Sequence, residues 1–282
     1  LVDEHKGEGS KGDCSPPLDH YDEHMSALYF ATAAKSAVGL VRAGNEDSAL
    51  TSRSLVAVAD GMGGHAAGEV ASRIAITTLA KESEVFTNHD VDIESADDLF
   101  SSTLLVIDAT ISEYAIENPE LSGMGTTLSC LFLRNDGVAA MHVGDSRIYR
   151  LRGNTFEQLT TDHTVIQELL DQGSITEADV ATHPQRSVLT HVLMGDGRNQ
   201  PSLSIYEVKV DDRFLLCSDG LTNVVGDKEI KSILKGKARG AAVDALVDAA
   251  YINGAPDNVT VIVADILAND IQEPLTFLGA AK

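Results

Sequence analysis

The chain has 282 residues and a formal net charge of −22, from 43 acidic against 21 basic side chains. That balance excludes a nucleic acid or an anionic membrane surface as the main partner, because both are held through basic patches. Hydrophobic residues make up 43 % of the chain, enough to bury a substantial core in one large domain or two small ones.

The three cysteines, Cys14, Cys130 and Cys217, show no CxxC spacing. So sparse and odd a count implies a reducing compartment, the cytoplasm, and no disulfide framework. No apolar stretch reads as long enough to span a bilayer. The opening residues are charged and Gly-rich, unlike a secretory leader.

In chain order, residues 1–25 are polar and read as a disordered lead-in. Residues 27–39 turn apolar and small, a first strand or two. Residues 41–47 form a polar loop carrying Arg42 and Glu46. Next comes the stretch on which the chain is organised, Leu-Val-Ala-Val-Ala followed by Asp60, Gly61, Met62, Gly63 and Gly64. The apolar run is too short for an independent helix and suits a strand buried on both faces. It leaves Asp60 at the strand's mouth, where glycines allow positive φ and close approach of the backbone. An acid held there suits a hard cation, and equally a turn in which Asp is the hydrogen-bonding residue.

Residues 69–86 carry Val70, Ile74, Ile76 and Leu79 at helical spacing, and 97–116 repeat this with Phe100, Leu104, Ile107 and Ile111 before Asn118-Pro119 stops the helix. Strands follow over 125–134, 138–143, 146–152 and 155–159, joined by turns at Asn135-Asp136-Gly137 and Arg152-Gly153-Asn154, and read as one antiparallel meander. Two short helices, 163–172 and 175–181, read as a flap over its edge. Strands at 202–210 and 213–217, helices at 228–234 and 238–250, and a last strand at 259–266 complete the domain; residues 268–282 read as a loose tail. Strands come in runs and helices in pairs, so the expected fold class is α+β: two antiparallel sheets packed together with helices outside.

Four acids share one design, each at the edge of an apolar run and close to Gly: Asp60, Asp145, Asp219 and Asp257. Buried singly, such acids are costly. Brought together they form a cage of hard oxygens suited to Mn²⁺ or Mg²⁺ and, lacking His and Cys ligands, not to Zn²⁺. Two such ions about 4 Å apart can share one water and lower its pKa, which makes it a nucleophile for phosphorus. Arg42 supplies a planar fork that matches a phosphate. A rival reading remains: Gly61-Met62-Gly63-Gly64-His65-Ala66 fits a dinucleotide-binding fingerprint, although two helices follow where a second strand is needed.

Arg42 with Glu46 and Asp47, Asp60-Gly61-Met62-Gly63-Gly64-His65, Gly123-Met124-Gly125-Thr126-Thr127, His142-Val143-Gly144-Asp145-Ser146-Arg147, Thr161-Asp162-His163-Thr164, Cys217-Ser218-Asp219-Gly220-Leu221 and Asp257-Asn258-Val259-Thr260 occur in this order. The set resembles the bacterial type 2C metal-dependent serine/threonine phosphatases, over about residues 34–264. The resemblance implies a four-layer α-β-β-α sandwich, a catalytic domain over 26–267 and a flap at about 163–195. It implies a binuclear Mn/Mg centre in which Asp60 bridges both ions and Gly61 lends its carbonyl. Asp219 and Asp257 hold the first ion and Glu46 serves the second. Asp145, with Asp219, matches a third, weaker position. Arg42 is implied to bind substrate phosphate, and His65 to protonate the leaving oxygen. The expected partners are phosphorylated proteins, among them a Ser/Thr kinase, met by a monomer. The expected location is the cytoplasm, as a whole protein or as the cytoplasmic domain of a longer, membrane-anchored one. A non-enzymatic relative that keeps the fold is the remaining alternative, and the full set of acids speaks against it.

Overall fold

The computed structural model describes residues 27–63, 67–86, 93–134, 137–180, 182–198, 201–269 and 273–282. The expected lead-in over 1–25, together with Gly64, His65, Asn135 and Asp136, lies outside the described residues.

The N-terminal strands are β1 (Tyr29–Ala37), β2 (Asp47–Thr51) and β3 (Leu55–Met62). The helices α1 (Ala67–Phe86) and α2 (Ala96–Glu117) follow, then β4 (Gly125–Thr126), β5 (Leu128–Arg134), β6 (Gly137–Val143), β7 (Arg147–Arg152) and β8 (Thr155–Gln158). The short helices α3 (Val165–Asp171) and α4 (Glu177–Val180) precede β9 (Ser202–Glu207) and β10 (Arg213–Cys217). The chain closes with α5 (Asp219–Thr222), α6 (Asp227–Gly236), α7 (Arg239–Ile252), β11 (Val259–Leu267) and β12 (Thr276–Gly279).

The strands form two sheets, one five-stranded in the order β1-β11-β10-β7-β8, the other seven-stranded in the order β12-β2-β3-β5-β6-β9 with β4 against β3. All of these pairings are antiparallel. Among the described residues no βαβ unit surrounds the glycines after β3, so the dinucleotide-binding reading fails.

Three cores account for the layering. Along β3 the faces alternate: Leu55, Ala57 and Ala59 pack under α1 and α2, while Val56 and Val58 face the other sheet. The inner core joins Val56, Val58 and Leu131 to Phe214, Leu216 and Ile262 of the five-stranded sheet. Phe30 meets Phe214 edge-on, with ring centroids 6.2 Å apart. On the outer face of that sheet, Leu215, Val261 and Val263 pack against Leu246 and Val247 of α7 and Leu234 of α6. The result is the expected α-β-β-α sandwich, with helices burying one apolar stripe each.

Four local expectations need correction. Asp47, read as the end of the loop, and residues 48–51, given no element, form β2, which pairs with β3 and places Asp47 opposite Asp60. The meander is divided: β5 and β6 belong to the seven-stranded sheet and β7 and β8 to the other, so the chain changes layers at Gly144-Asp145-Ser146. The tail contributes β12, whose Phe277 lies opposite Leu50 on β2. Finally, α2 is long and apolar enough by length and composition to cross a membrane, which the sequence reading missed. Here its Phe100, Leu104, Ile107 and Ile111 are core residues against the seven-stranded sheet.

Candidate metal centre

Both sheets deliver carboxylates to one end of the sandwich. Asp60 stands at the end of β3, in the seven-stranded sheet. Asp219 opens α5 two residues beyond the end of β10, and Asp257 lies just before β11; both strands belong to the other sheet. Asp145 sits where the chain crosses between the layers.

Bare backbone lets these segments close on one another. A Cβ at Gly61 would collide with the Gly68 carbonyl of α1 and lie 2.5 Å from the Glu46 carbonyl. One at Gly220 would overlap the Asn258 carbonyl. Gly61 is thus needed for close packing, and Gly63 supplies the expected positive φ, at 144°. The Gly61 N–H donates to Glu46 O at 3.2 Å, which joins the loop of Glu46 to the end of β3.

The carboxylates crowd each other. Asp60 and Asp219, delivered from opposite sheets, lie close enough to shift each other's protonation. Burial, followed by repulsion from Asp47, Asp219, Asp145 and Asp257, holds the Asp60 pKa well above the carboxylate range. Burial raises Asp219 too, with Asp257 the next cause. Asp145 is pushed up to about 8 by burial and then by Asp219 and Asp162. Glu46 is raised by burial, against the pull of Arg42. Crowded acids of this kind retain protons until a stronger positive charge replaces them.

Asp47 is the unpredicted member. It is fully buried, and burial raises its pKa to about 7. Its Oδ2 accepts the Ser218 hydroxyl at 2.8 Å, while Oδ1 is buried without a partner. A buried unpaired carboxylate oxygen beside other acids marks an acceptor awaiting a donor or a cation. The donor set is oxygen throughout, and it fits a hard divalent ion.

Among the described residues, no three His, Cys, Asp or Glu side chains already stand in ligating geometry. Asp257 shows one reason. Its Oδ2 takes Arg42 Nη2 at 2.6 Å, and its Oδ1 takes the Asn258 N–H at 2.8 Å. Arg42, expected to face phosphate, is thus turned to an acid of the cluster, with Nη1 3.9 Å from Glu46 Oε2.

The motif residues Asn258, Thr126 and Thr127 support the acids through hydrogen bonds whose partners the sequence did not reveal. The Asn258 side chain accepts the Glu46 N–H at 2.8 Å and donates to the carbonyls of Val38 and Gly44, pinning the Arg42–Glu46 loop to β11. Thr126 Oγ1 and the Thr127 N–H both donate to Asp60 O, and the Asp60 N–H donates to Thr127 Oγ1. The motif positions were visible in the sequence; their partners, tens of residues away, were not.

The flap is rooted beside this site. Thr126 and Leu193 exchange two backbone hydrogen bonds of 3.0 Å, and Thr164 bridges Leu189. Asp108 of α2 holds the far root, accepting the N–H groups of Gly195 and Gly197 at 2.8 and 2.7 Å. Cys130 and Cys217 are buried free thiols, with pKa values pushed up to about 12 by burial, and serve as core residues.

Residues 45–246 match the family described as Protein phosphatase 2C. The serine/threonine protein phosphatase PstP of Mycobacterium tuberculosis (strain ATCC 25618 / H37Rv) is 41 % identical over 257 residues, which cover 90 % of this chain and 48 % of that protein. The chain thus spans about half the length of that relative. The serine/threonine phosphatase stp of Listeria welshimeri is 35 % identical over 233 residues, covering 80 % of this chain and 92 % of that one. The solved catalytic domain of PstP in complex with two manganese ions superposes with a TM-score of 0.78 at 37 % identity, over 86 % of this chain and 100 % of that one. On this evidence of sequence, fold and acidic cluster together, the chain belongs to the protein phosphatase 2C family.

Proposed function

We propose that the chain hydrolyses phosphoserine and phosphothreonine in proteins, with the acids at the sandwich mouth holding two Mn²⁺ or Mg²⁺ ions. The observation that carries this reading is the convergence of Asp60 and Asp219 from opposite sheets, within a cluster whose Asp47 keeps a buried unpaired oxygen. Asp60 bridges the ions, Gly61 lends its carbonyl, Asp219 and Asp257 complete the first position, and Glu46 serves the second. Asp145, with Asp219, holds a third, weaker one. Bound there, the ions supply a nucleophilic water at neutral pH and offset phosphate charge.

The chain's own residues do the rest. Arg42 exchanges Asp257 for substrate phosphate, since both present a carboxylate-like pair of oxygens to its fork. Thr126 and Thr127 hold the Asp60 backbone rigid through both its N–H and its C=O. His65 protonates the departing Ser or Thr oxygen. The flap at 163–195 screens substrates beside the mouth. Ser218 is no nucleophile: it is fully buried and its hydroxyl is donated to Asp47. The partners are phosphorylated proteins, among them a Ser/Thr kinase, met by a monomer in the cytoplasm.

The test is hydrolysis of phosphopeptides bearing pSer, pThr or pTyr with Mn²⁺ and then with EDTA. Turnover of pSer and pThr that EDTA abolishes is expected. Turnover undiminished by EDTA, or confined to pTyr, overturns the reading.

A further inference from the structure

A file of buried polar side chains runs from the interior of the seven-stranded sheet to Asp60. It begins at His142 on β6, whose Nδ1 lies 2.8 Å from Ser129 Oγ on the neighbouring strand β5. Ser129 Oγ in turn lies 2.8 Å from Ser146 O. Ser146 Oγ meets Thr127 Oγ1 at 2.9 Å, and Thr127 Oγ1 accepts the Asp60 N–H at 2.9 Å. Ser129 and Ser146 are fully buried, and Thr127 and His142 are 2 % exposed. Water therefore does not substitute for a lost member, and the chain of bonds is stiff.

The outer end is anchored too. His142 Nε2 lies 3.1 Å from Thr161 O, and its ring packs against His163 with centroids 4.7 Å apart. The ring plane is thus fixed from three sides. Ser129 has one hydroxyl proton and two acceptors in reach, His142 Nδ1 and Ser146 O. The neutral ring has one proton: on Nδ1 it goes to Ser129, whose hydroxyl then points to Ser146 O, whereas on Nε2 it goes to Thr161 O and Ser129 turns its hydroxyl back to Nδ1, so the tautomer sets which way the hydroxyl points.

We propose that His142 is a positioning residue for the metal-bridging aspartate, acting through Ser129, Ser146 and Thr127 on the backbone of Asp60. It touches neither substrate nor ion. Its role is to hold in place the strand end from which the Asp60 carboxylate projects and the Ser146 turn that follows Asp145. The inference rests on the metal-centre reading above. It goes beyond that reading by assigning a function to a buried histidine and a buried serine.

Outer partners of metal ligands typically change affinity about 10–100-fold when removed. The test measures Mn²⁺ dissociation constants by calorimetry on the folded protein, below the melting temperature of each variant. The variants are Ser129→Ala, Ser129→Thr and His142→Asn, with Ile107→Val in the core under α2 as a control for lost packing. Expected is a Mn²⁺ affinity about tenfold weaker in Ser129→Ala and His142→Asn, recovered in Ser129→Thr and unmoved in Ile107→Val. With para-nitrophenyl phosphate, kcat should fall and KM stay constant. Wild-type Mn²⁺ affinity in folded Ser129→Ala overturns the inference, as does an equal loss in Ile107→Val. If His142→Asn does not fold, the two Ser129 variants decide alone. A wild-type protein that binds no Mn²⁺ refutes instead the metal-centre reading.

Discussion

Arg42 Nη2 and Asp257 Oδ2 stand 2.6 Å apart across 215 positions of sequence, so the residue expected to grip phosphate and an acid expected to grip metal neutralise each other. The acid also holds up the Arg42 pKa, chiefly through that hydrogen bond. On the proposed roles the two binding events are linked: an ion that recruits Asp257 would release the guanidinium for phosphate. Arg42→Ala is expected to raise KM for a phosphopeptide about tenfold or more, since a charge-assisted hydrogen bond contributes about 1.5–3 kcal/mol. The same variant should need no more Mn²⁺ than wild type for half-maximal activity, because Asp257 is freed. Initial rates against peptide and against Mn²⁺ check both statements.

Asp219→Asn removes one charge from the crowded cluster. Its kcat/KM with Mn²⁺ is expected to fall at least about 100-fold, the loss of a few kcal/mol of charge stabilisation. Its melting temperature in EDTA should nonetheless rise, because burial and then repulsion lift the Asp60 and Asp219 pKa values, and the variant buries one ionisable acid fewer. Wild-type turnover in this variant contradicts the proposed role.

The same crowding sets a pH dependence. Asp47 and Asp145 titrate near 7 and 8 in the folded chain, against about 3.9 for an unfolded Asp. A carboxyl raised on folding binds more protons in the native state, so its contribution favours the fold at low pH and is lost as pH rises through the folded value. Metal-free protein should therefore lose stability between pH 6 and pH 8. Mn²⁺ displaces those protons, and the rise in melting temperature it produces should be larger at pH 8 than at pH 6. Thermal scans in EDTA and in Mn²⁺ at both values measure it.

His142 carries the opposite sign. Burial, helped by His163, lowers its pKa from 6.5 to about 3. The native state then refuses a proton that the unfolded chain accepts, so stability is lost as pH falls from about 6.5 towards 3. Between those limits the slope from this one ring approaches about 1.4 kcal/mol per pH unit. Urea unfolding of wild type and His142→Asn in EDTA, from pH 4.5 to 6.5, should show slopes differing by close to one proton. Equal slopes exclude the assignment.

Ser218→Ala leaves Asp47 Oδ2 without its 2.8 Å donor and Thr260 N without its 3.0 Å acceptor. The expected cost is about 1–3 kcal/mol of stability, the penalty for unsatisfied buried groups. Part of the Mn²⁺-dependent turnover should survive, because no covalent phosphoseryl intermediate is involved. Chemical denaturation together with a phosphopeptide assay separates the two effects.

The elements that declared themselves in the sequence did so by local pattern. An unbroken apolar run with a terminal acid marked β3, and apolar residues three and four apart marked α1 and α2. Asp47–Thr51 failed that test because three of its five residues are polar, and its burial comes from neighbours: Ser48 pairs with Ser72 of α1 at 2.9 Å. The change of sheet after β6 was equally hidden, since inward and outward residues alternate alike in either layer. Gly next to Asp revealed the acids that converge. The motif included Asp47 without giving it a role, and nothing local tied Arg42 to Asp257, because those relations are created by long-range strand pairing.

Asp60 belongs to one leaf of the sandwich, and Asp219 and Asp257 to the other, while the inner faces between them, Val58 and Leu131 against Leu216 and Ile262, are apolar and non-directional. An ion shared by these acids is therefore a rivet through both leaves, placed at their open edge. Chelation should let the leaves breathe from that edge inward, so that amide exchange quickens first at the ends of β3 and β10 and last at the opposite rim. The proposed catalytic centre and the clasp of the whole sandwich would then be the same few atoms.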